Sequence, residues 1–419
     1  MPENYLTPLL EIQGFQVKRV MRSFHKGRRS VVLHLERKKT DYVCGKCGQA
    51  VESGYDSSWQ QVRHLMLWQH LCFLRFQRYR VNCPRCGIRT EALEFVGVRG
   101  PGVTNRLARL VAELCKVMTN KNVGIFQALH RGTVKEIDKR SMTTEQASRS
   151  LDGITVMGVD EIAVGKGQTY WTMLSALQGP RGPELLNVVE GRKEKNLRKF
   201  WRWFGKERAQ GLTHVVMDMW PAFRNSFQKY CPGIQIIYDK FHVIQHLLKA
   251  LNTVRKAELS KAAGRFKGLL AGKKFILLSR KAHVRGKRRD ALNDLLAASP
   301  KLLKAHLLKE SFGHLWSYRS KTCARRFFRQ WVEQLKWSRL KPYFKFVKLV
   351  EKHLEGILSF CDKQVSLGYV ESVNLKAKNI VRRAYGFRDK DYMKLKIIQA
   401  CTPWMSHFHP WSATHSSSS

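Results

Sequence analysis

Two groups of residues in this chain of 419 could do chemistry. The first is a pair of cysteine couplets, Cys44-Gly-Lys-Cys47-Gly and Cys83-Pro-Arg-Cys86-Gly, with 35 residues between them. A Cys-x-x-Cys turn presents two thiolates to one ion. The glycine after the second cysteine lets the chain turn while backbone amides point at sulfur. Four soft ligands in two such turns favour a closed, structural Zn²⁺ site. Two unrelated surface turns, or redox-active couplets, are the competing readings, and the shared Cys-x-x-Cys-Gly form favours zinc. Folding of this region then depends on metal. The intervening segment is predicted to form a hairpin or small sheet. His64 and Cys72 lie in it and read as ordinary hairpin residues rather than extra ligands. The remaining cysteines are scattered, which suits a reducing compartment better than a disulfide-rich secreted protein.

The second group is carboxylates. Residues from 154 to 245 read as alternating strands and helices. ITVMGVDEIAV is a strand that delivers Asp160, with GKGQ as the turn after it. TYWTMLSAL and ELLNVVEG are the next two strands, NLRKFWRWFG is an amphipathic helix, and THVVMDMW is a fourth strand ending in Asp218. PAFRNSFQKYC is a helix with proline in its first turn, and IQIIYDKFHV is a fifth strand running into a helix. Three strands in a meander, then helix, strand, helix, strand, is the order of an RNase H-like fold. There the first and fourth strands are neighbours, so Asp160 and Asp218 meet although 58 positions separate them. Two acids together, otherwise unfavourable, suit hard divalent cations. Glu371 is the candidate third acid. Glu371, Asn374, Lys378 and Arg382 follow at steps of three, four and four, so one helix face carries an acid, an amide and two cations. The bland alternative is an exposed helix with Glu371 neutralised by its neighbours. Glu161 points to the opposite sheet face and is secondary. Asp239 and His242 follow the fifth strand and stand behind the metal ligands; His242 contacts phosphate or orders a metal-bound carboxylate, or else is a packed helix-start histidine. Asp138 and Asp152 read as surface and turn acids.

The rest of the chain must position these groups and hold their substrate. Lys and Arg total 76 against 32 Asp and Glu, a formal charge of +44. Such an excess repels itself unless a polyanion shares the surface, and nucleic acid is the usual partner. Residues 251 to 350 are helical and hold 26 Lys and Arg against 5 Asp and Glu. Between the cysteine region and the carboxylates, Thr104 caps a helix through RLARLVAELCKVM, and NVGIFQALH is a short second helix. Arg131-Gly132 makes a turn, and Thr133 caps a third helix, TVKEIDKRSM. A trihelical unit of this kind puts its last helix into the DNA major groove, with Lys135, Lys139 and Arg140 facing DNA. A plain helical linker is the alternative. No apolar run spans a membrane, and the first residues do not read as a signal peptide.

The double Cys-x-x-Cys, the GVDE strand, VVMDMWPAF, YDKFHV and ESVNLKAKNIVRRAYGF together resemble the insertion-sequence L-three (ISL-three) family of bacterial transposases, from about residue 40 to 400. The resemblance implies a multidomain α/β protein. A zinc-ribbon-like module (1–100) and a helix-turn-helix (101–150) would precede an RNase H-like catalytic domain, a mixed five-stranded sheet with helices. That domain would comprise 151–249 and 361–405, divided by a basic helical insertion (250–360), with a flexible tail at 406–419. It implies an Asp-Asp-Glu triad on Asp160, Asp218 and Glu371.

The activity implied is DNA transposition by two-metal phosphoryl transfer. Two Mg²⁺ ions about 3.5–4 Å apart clamp the attacking and leaving oxygens. Asp160 bridges both, while Asp218 and Glu371 hold one each. The partners expected are double-stranded DNA, as terminal inverted repeats and as target, and a second copy of the chain in a dimer or larger synaptic assembly. Asn374, Lys378 and Arg382 would hold the scissile strand. The setting expected is the bacterial cytoplasm, at the nucleoid. Two rivals differ in outcome: a zinc-ribbon and helix-turn-helix regulator that binds DNA without cutting, and an RNase H-like nuclease that cuts without joining.

Overall fold

The computed structural model describes residues 6–38, 41–98, 100–165, 169–264, 267–268, 271–365, 368–383 and 388–409. The GKGQ turn, the AYGF end of the Glu371 motif and residues 410–419 of the expected tail lie wholly or mostly outside them. The chain divides into two compact units, residues 1–149 with 403–419, and residues 150–402.

The first unit begins with α1 (Leu6–Leu10) and the strands β1 (Phe15–His25), β2 (Arg28–Arg37), β3 (Tyr42–Val43), β4 (Ala50–Val51), β5 (Gly54–Leu67), β6 (His70–Cys83) and β7 (Gly87–Thr90). One sheet runs β1-β2-β6-β5, with β7 added to β6, and β3 pairs with β4 separately. Sequence alternation marks β2 and β6. It misses β1 and the first half of β5, because those segments are mostly exposed and join the sheet by backbone pairing. Phe15, Leu33, Leu74 and Phe76 fill the core of this sheet. The predicted hairpin between the couplets is present as β5 and β6, turning at Trp68 with φ 53°.

Three helices follow: α2 (Asn105–Val117), α3 (Asn120–Gln127) and α4 (Arg131–Ala147). Thr104 caps α2, its hydroxyl accepting from the Leu107 amide at 3.3 Å. The last turn differs from the sequence reading. α4 starts at Arg131 rather than after Gly132, because Ala128 adopts a left-handed conformation and His130 Nδ1 accepts from the Gly132 amide at 3.1 Å. Thr133 is therefore inside the helix. Asp138, expected at the surface, is fully buried on the inner face of α4 beside Val134, Ile137 and Met142.

The second unit contains β8 (Val156–Gly165), β9 (Thr169–Gln178), β10 (Glu184–Glu190), α5 (Glu194–Phe204), α6 (Lys206–Gln210), β11 (His214–Met217), α7 (Pro221–Tyr230), β12 (Gln235–Tyr238) and α8 (Lys240–Lys261). Its sheet runs β10-β9-β8-β11-β12. The first three strands are antiparallel, and β8, β11 and β12 are mutually parallel. Successive side chains in a strand alternate faces, and the two faces are distinct here. Met157, Val159, Val215, Met217 and Tyr238 join a core with Phe200, Phe204, Phe223 and Phe227 from α5 and α7. Val156, Val216 and Ile237 point the other way, toward Val365, Tyr369 and Val370.

After α8 come helices Lys274–Leu278, Lys287–Ala297, Pro300–Phe312, Lys321–Glu333 and Lys341–Lys352. They bury Leu292, Phe312, Trp331, Tyr343 and Phe346 in continuity with the first core. The Gly368–Arg383 helix then crosses the opposite face of the sheet. No helix among the described residues is long and apolar enough to cross a membrane.

Candidate active site and metal centre

Register decides where the acids fall. β8 and β11 pair in parallel through Val156 with His214 and Gly158 with Val216, and β11 pairs with β12 through Met217 and Tyr238. Two residues further, Asp160 midway along β8 lies next to Asp218, the first residue past the end of β11, and Asp239, the first past β12, follows beside Asp218. Alternation turns all three to the face covered by the Gly368–Arg383 helix. That helix approaches closely because position 158 is glycine: a Cβ there would lie 3.0 Å from Val370 Cγ2 and 3.1 Å from Leu177 Cδ1.

The acids are desolvated and feel one another. Burial pushes the Asp218 carboxyl above its ordinary range; the Trp220 amide and His242 oppose this, and the charge of Asp160 adds to it. Asp239 is also raised by burial, with the Phe241 amide and His242 opposing and Asp160 and Glu371 adding. His242 Nε2 stands 3.8 Å from both Asp160 Oδ1 and Asp239 Oδ2. Asp239 also caps α8, accepting from the Phe241 amide at 2.7 Å. The Asn374 side-chain amide donates to Asp160 Oδ2 at 2.5 Å, while its own Oδ1 is buried without a partner. Crowded, largely buried carboxylates with an orphaned amide oxygen beside them fit hard cations, which favour oxygen donors. Glu371 is exposed on the first turn of its helix, and Lys378 and Arg382 are exposed further along.

Three residues that sequence reasoning left aside close a ring around this site. The Glu161 amide donates to Asp160 Oδ1 at 2.7 Å, and Arg192 Nη1 donates to Glu161 Oε1 at 2.9 Å. The Arg192 guanidinium lies between two aromatic faces, 4.3 Å from the Tyr170 centroid and 4.4 Å from that of Trp220. The Trp220 indole donates to the Arg192 carbonyl at 3.2 Å, and the Trp220 amide donates to Asp218 Oδ1 at 2.9 Å. Asp160 and Asp218 are thus linked through Glu161, Arg192 and Trp220. The adjacent acidic pair in GVDE was the only sequence signal; the aromatic partners come from separate strands and loops.

Among the described residues, the four couplet cysteines are the one group that brings three or more ligand atoms within 4.8 Å of one another. Cys47 and Cys83 sulfurs are 3.6 Å apart. The Cys47 and Lys46 amides point at the Cys44 thiol and pull its pKa down to about 6. Such a set fits a tetrahedral thiolate-bound ion. His64 and Cys72 stand apart from it. His64 is buried against Thr104, its Nδ1 2.9 Å from the hydroxyl, and Cys72 is buried in the sheet core. On α4, Lys135 and Lys139 are half-buried, and Arg140 is exposed and pairs with Glu136 at 3.2 Å. Asp152 is exposed as expected and pairs with Arg208 at 2.7 Å.

Residues 157–397 match a family described as transposase, the ISL3 group with the Asp-Asp-Glu designation. Residues 42–86, which include all four couplet cysteines, match the zinc-finger of transposase IS204/IS1001/IS1096/IS1165. These matches define a DNA-transposition enzyme with a zinc ribbon. More narrowly, the chain belongs to the ISL3 family of transposases. It is 29% identical over 392 residues to the transposase for insertion sequence element IS1001 of Bordetella parapertussis, covering 93% of this chain and 95% of that one. It is 25% identical over 371 residues to the transposase for insertion sequence element IS1557 of Mycobacterium tuberculosis, covering 82% of each. The zinc-ribbon match and the sulfur cluster together assign Zn²⁺ a structural role.

Proposed function

We propose that this transposase binds the terminal inverted repeats of its insertion sequence and cuts and joins DNA at Asp160, Asp218 and Glu371. The observation that carries this is the parallel pairing of β8 with β11, which brings Asp160, midway along β8, beside Asp218 at the end of β11 under the Glu371 helix. The strand order β10-β9-β8-β11-β12 supports an RNase H-like core, interrupted by the basic helices from about 250 to 360.

Asp160, Asp218 and Glu371 would hold two Mg²⁺ ions, which when bound neutralise charge on the attacking and leaving oxygens of an in-line displacement. Asn374 holds Asp160 by its amide. His242 stands between Asp160 and Asp239 and keeps both oriented. Lys378 and Arg382 grip the scissile strand. No covalent enzyme intermediate is required, since positioning and charge carry phosphoryl transfer. The zinc ribbon and α2–α4, acting as a helix-turn-helix with Lys135, Lys139 and Arg140 toward DNA, read the repeats. Two ends must be held together, so the working form is a dimer or larger.

The test supplies labelled element ends, a target plasmid and Mg²⁺ to the purified protein. Strand-transfer products are expected, falling to background with Asp160→Ala, Asp218→Ala or Glu371→Ala. Undiminished joining by any one variant removes that residue from the site. Cleavage without joining would favour the nuclease reading.

A further inference from the structure

The turn between the Lys321–Glu333 and Lys341–Lys352 helices carries Trp337, which is 90% exposed. A tryptophan offers roughly 150–250 Å² for burial, and folding leaves this one in water. The turn beneath it is not loose. Leu335 and Leu340, on either side, are fully buried. The Ser338 amide donates to the Leu335 carbonyl at 2.9 Å, and the Leu340 amide to the Ser338 hydroxyl at 3.2 Å. The fold therefore anchors both flanks and projects the indole outward.

Its surroundings are cationic. Lys336, Arg339 and Lys341 flank it and are exposed, with Lys336 paired to Glu333 at 2.5 Å. Lys341 also lines a groove of about 400 Å³ between α8 and the Lys341–Lys352 helix, with Lys249, Lys345, His246 and Thr253 and, among the described residues, no carboxylate on its wall. A protein-docking centre is depleted in lysine, whereas a basic groove with an exposed aromatic four residues along the chain from one of its lysines offers the two elements that hold single-stranded nucleic acid. There, phosphates track the cations and a base stacks on the ring.

We propose that this groove and Trp337 form a DNA-strand site outside the acid cluster. Lys249, Lys345 and Lys341 contact successive phosphates, and an unpaired or unstacked nucleobase lies against the indole. The inference rests on DNA being the substrate, and not on the Asp160–Asp218 site.

The experiment uses full-length Asp160→Ala protein with its zinc and no added Mg²⁺, so binding is read without cleavage. The probe is a mixed-sequence duplex with a short single-stranded overhang, one overhang base replaced by 2-aminopurine. Binding should change the 2-aminopurine fluorescence. Adding Trp337→Ala should abolish that change and weaken binding roughly five- to tenfold, while Trp337→Phe retains most of both. Adding Lys249→Ala and Lys345→Ala instead should flatten the log–log salt dependence by roughly 1.4, as for two single-strand phosphates released. Affinity and fluorescence unaltered by Trp337→Ala would overturn the proposal. So would loss of self-association in the ultracentrifuge with the fluorescence response intact, which would make Trp337 a contact between copies. Failure of the parent protein to bind any DNA would instead bring down the proposed function as well.

Discussion

Asn374 and His64 show how single polar groups are placed by burial. The Asn374 amide reaches Asp160 from a helix 214 residues away in sequence. Asn374→Ala removes that donor while leaving all the acids in place. Strand transfer should fall roughly 10–100-fold, as for other residues that orient metal ligands, with end binding unchanged in a gel-shift assay. A drop in end binding of the same size would return Asn374 to DNA contact, the role its helix face suggested. His64 is held neutral: burial pushes its pKa down to about 4, from an ordinary 6.5. As pH falls through that window the unfolded chain takes up a proton that the folded chain refuses. Stability is therefore full above pH 6.5 and declines toward pH 4, by up to roughly 3 kcal/mol from this group. His306, lowered to about 4 in the second unit, acts in the same window. The melting temperature should drop across it, and His64→Gln should flatten the drop in the first unit alone.

At the scale of elements, the site depends on how closely one helix lies on one strand. Gly158 permits that approach. In Gly158→Val the new side chain meets Val370 and Leu177, which must move. Overpacking of this kind costs about 1–3 kcal/mol. Denaturant unfolding should show that loss. Strand transfer should fall further than stability alone explains, because Glu371 and Asn374 ride on the displaced helix. Gly158→Ala should be milder in both assays. A valine variant with full activity would mean that helix placement does not matter to the chemistry. The Glu161–Arg192–Trp220 ring is a second such device, built from a strand, a loop and the N-cap of α7.

Over the whole molecule, each unit has its own core and its own reason to fold. The first relies on a small sheet and the sulfur cluster, the second on a large continuous core of sheet and helices. Replacing Cys44 by serine should remove one zinc per chain by metal analysis. It should also abolish a low-temperature melting transition while sparing the one belonging to residues 150–402. Retention of stoichiometric zinc in a Cys44→Ser, Cys83→Ser chain would place the metal elsewhere. The formal charge of +44 is spread through both units, so DNA affinity should fall steeply with salt whichever unit is altered.

Local pattern was enough for much of this. The couplets, the strands from Val156 to Tyr238, the Thr104 cap and the ESVNLKAKNIVRR helix were all legible, because periodicity and ligand spacing are short-range properties of a chain. Strand order even anticipated the pairing of β8 with β11. Other features were settled only by long-range packing. β1 and half of β5 are strands by virtue of their partners, not their own alternation. Asp138 looked like a surface acid until α4 turned it inward, and His130 rather than Thr133 capped that helix because the preceding turn closed at Ala128. Asp160, Asp218 and Glu371 could be named as carboxylates from the sequence. The desolvation of Asp218, the amide that Asn374 lends to Asp160, and the stacked Arg192 joining Asp160 to Asp218 exist only once strands distant in sequence lie about 4.7–4.9 Å apart. Residue types and spacing determined which chemistry was available, and the tertiary fold decided which of those groups meet and how far each is removed from water.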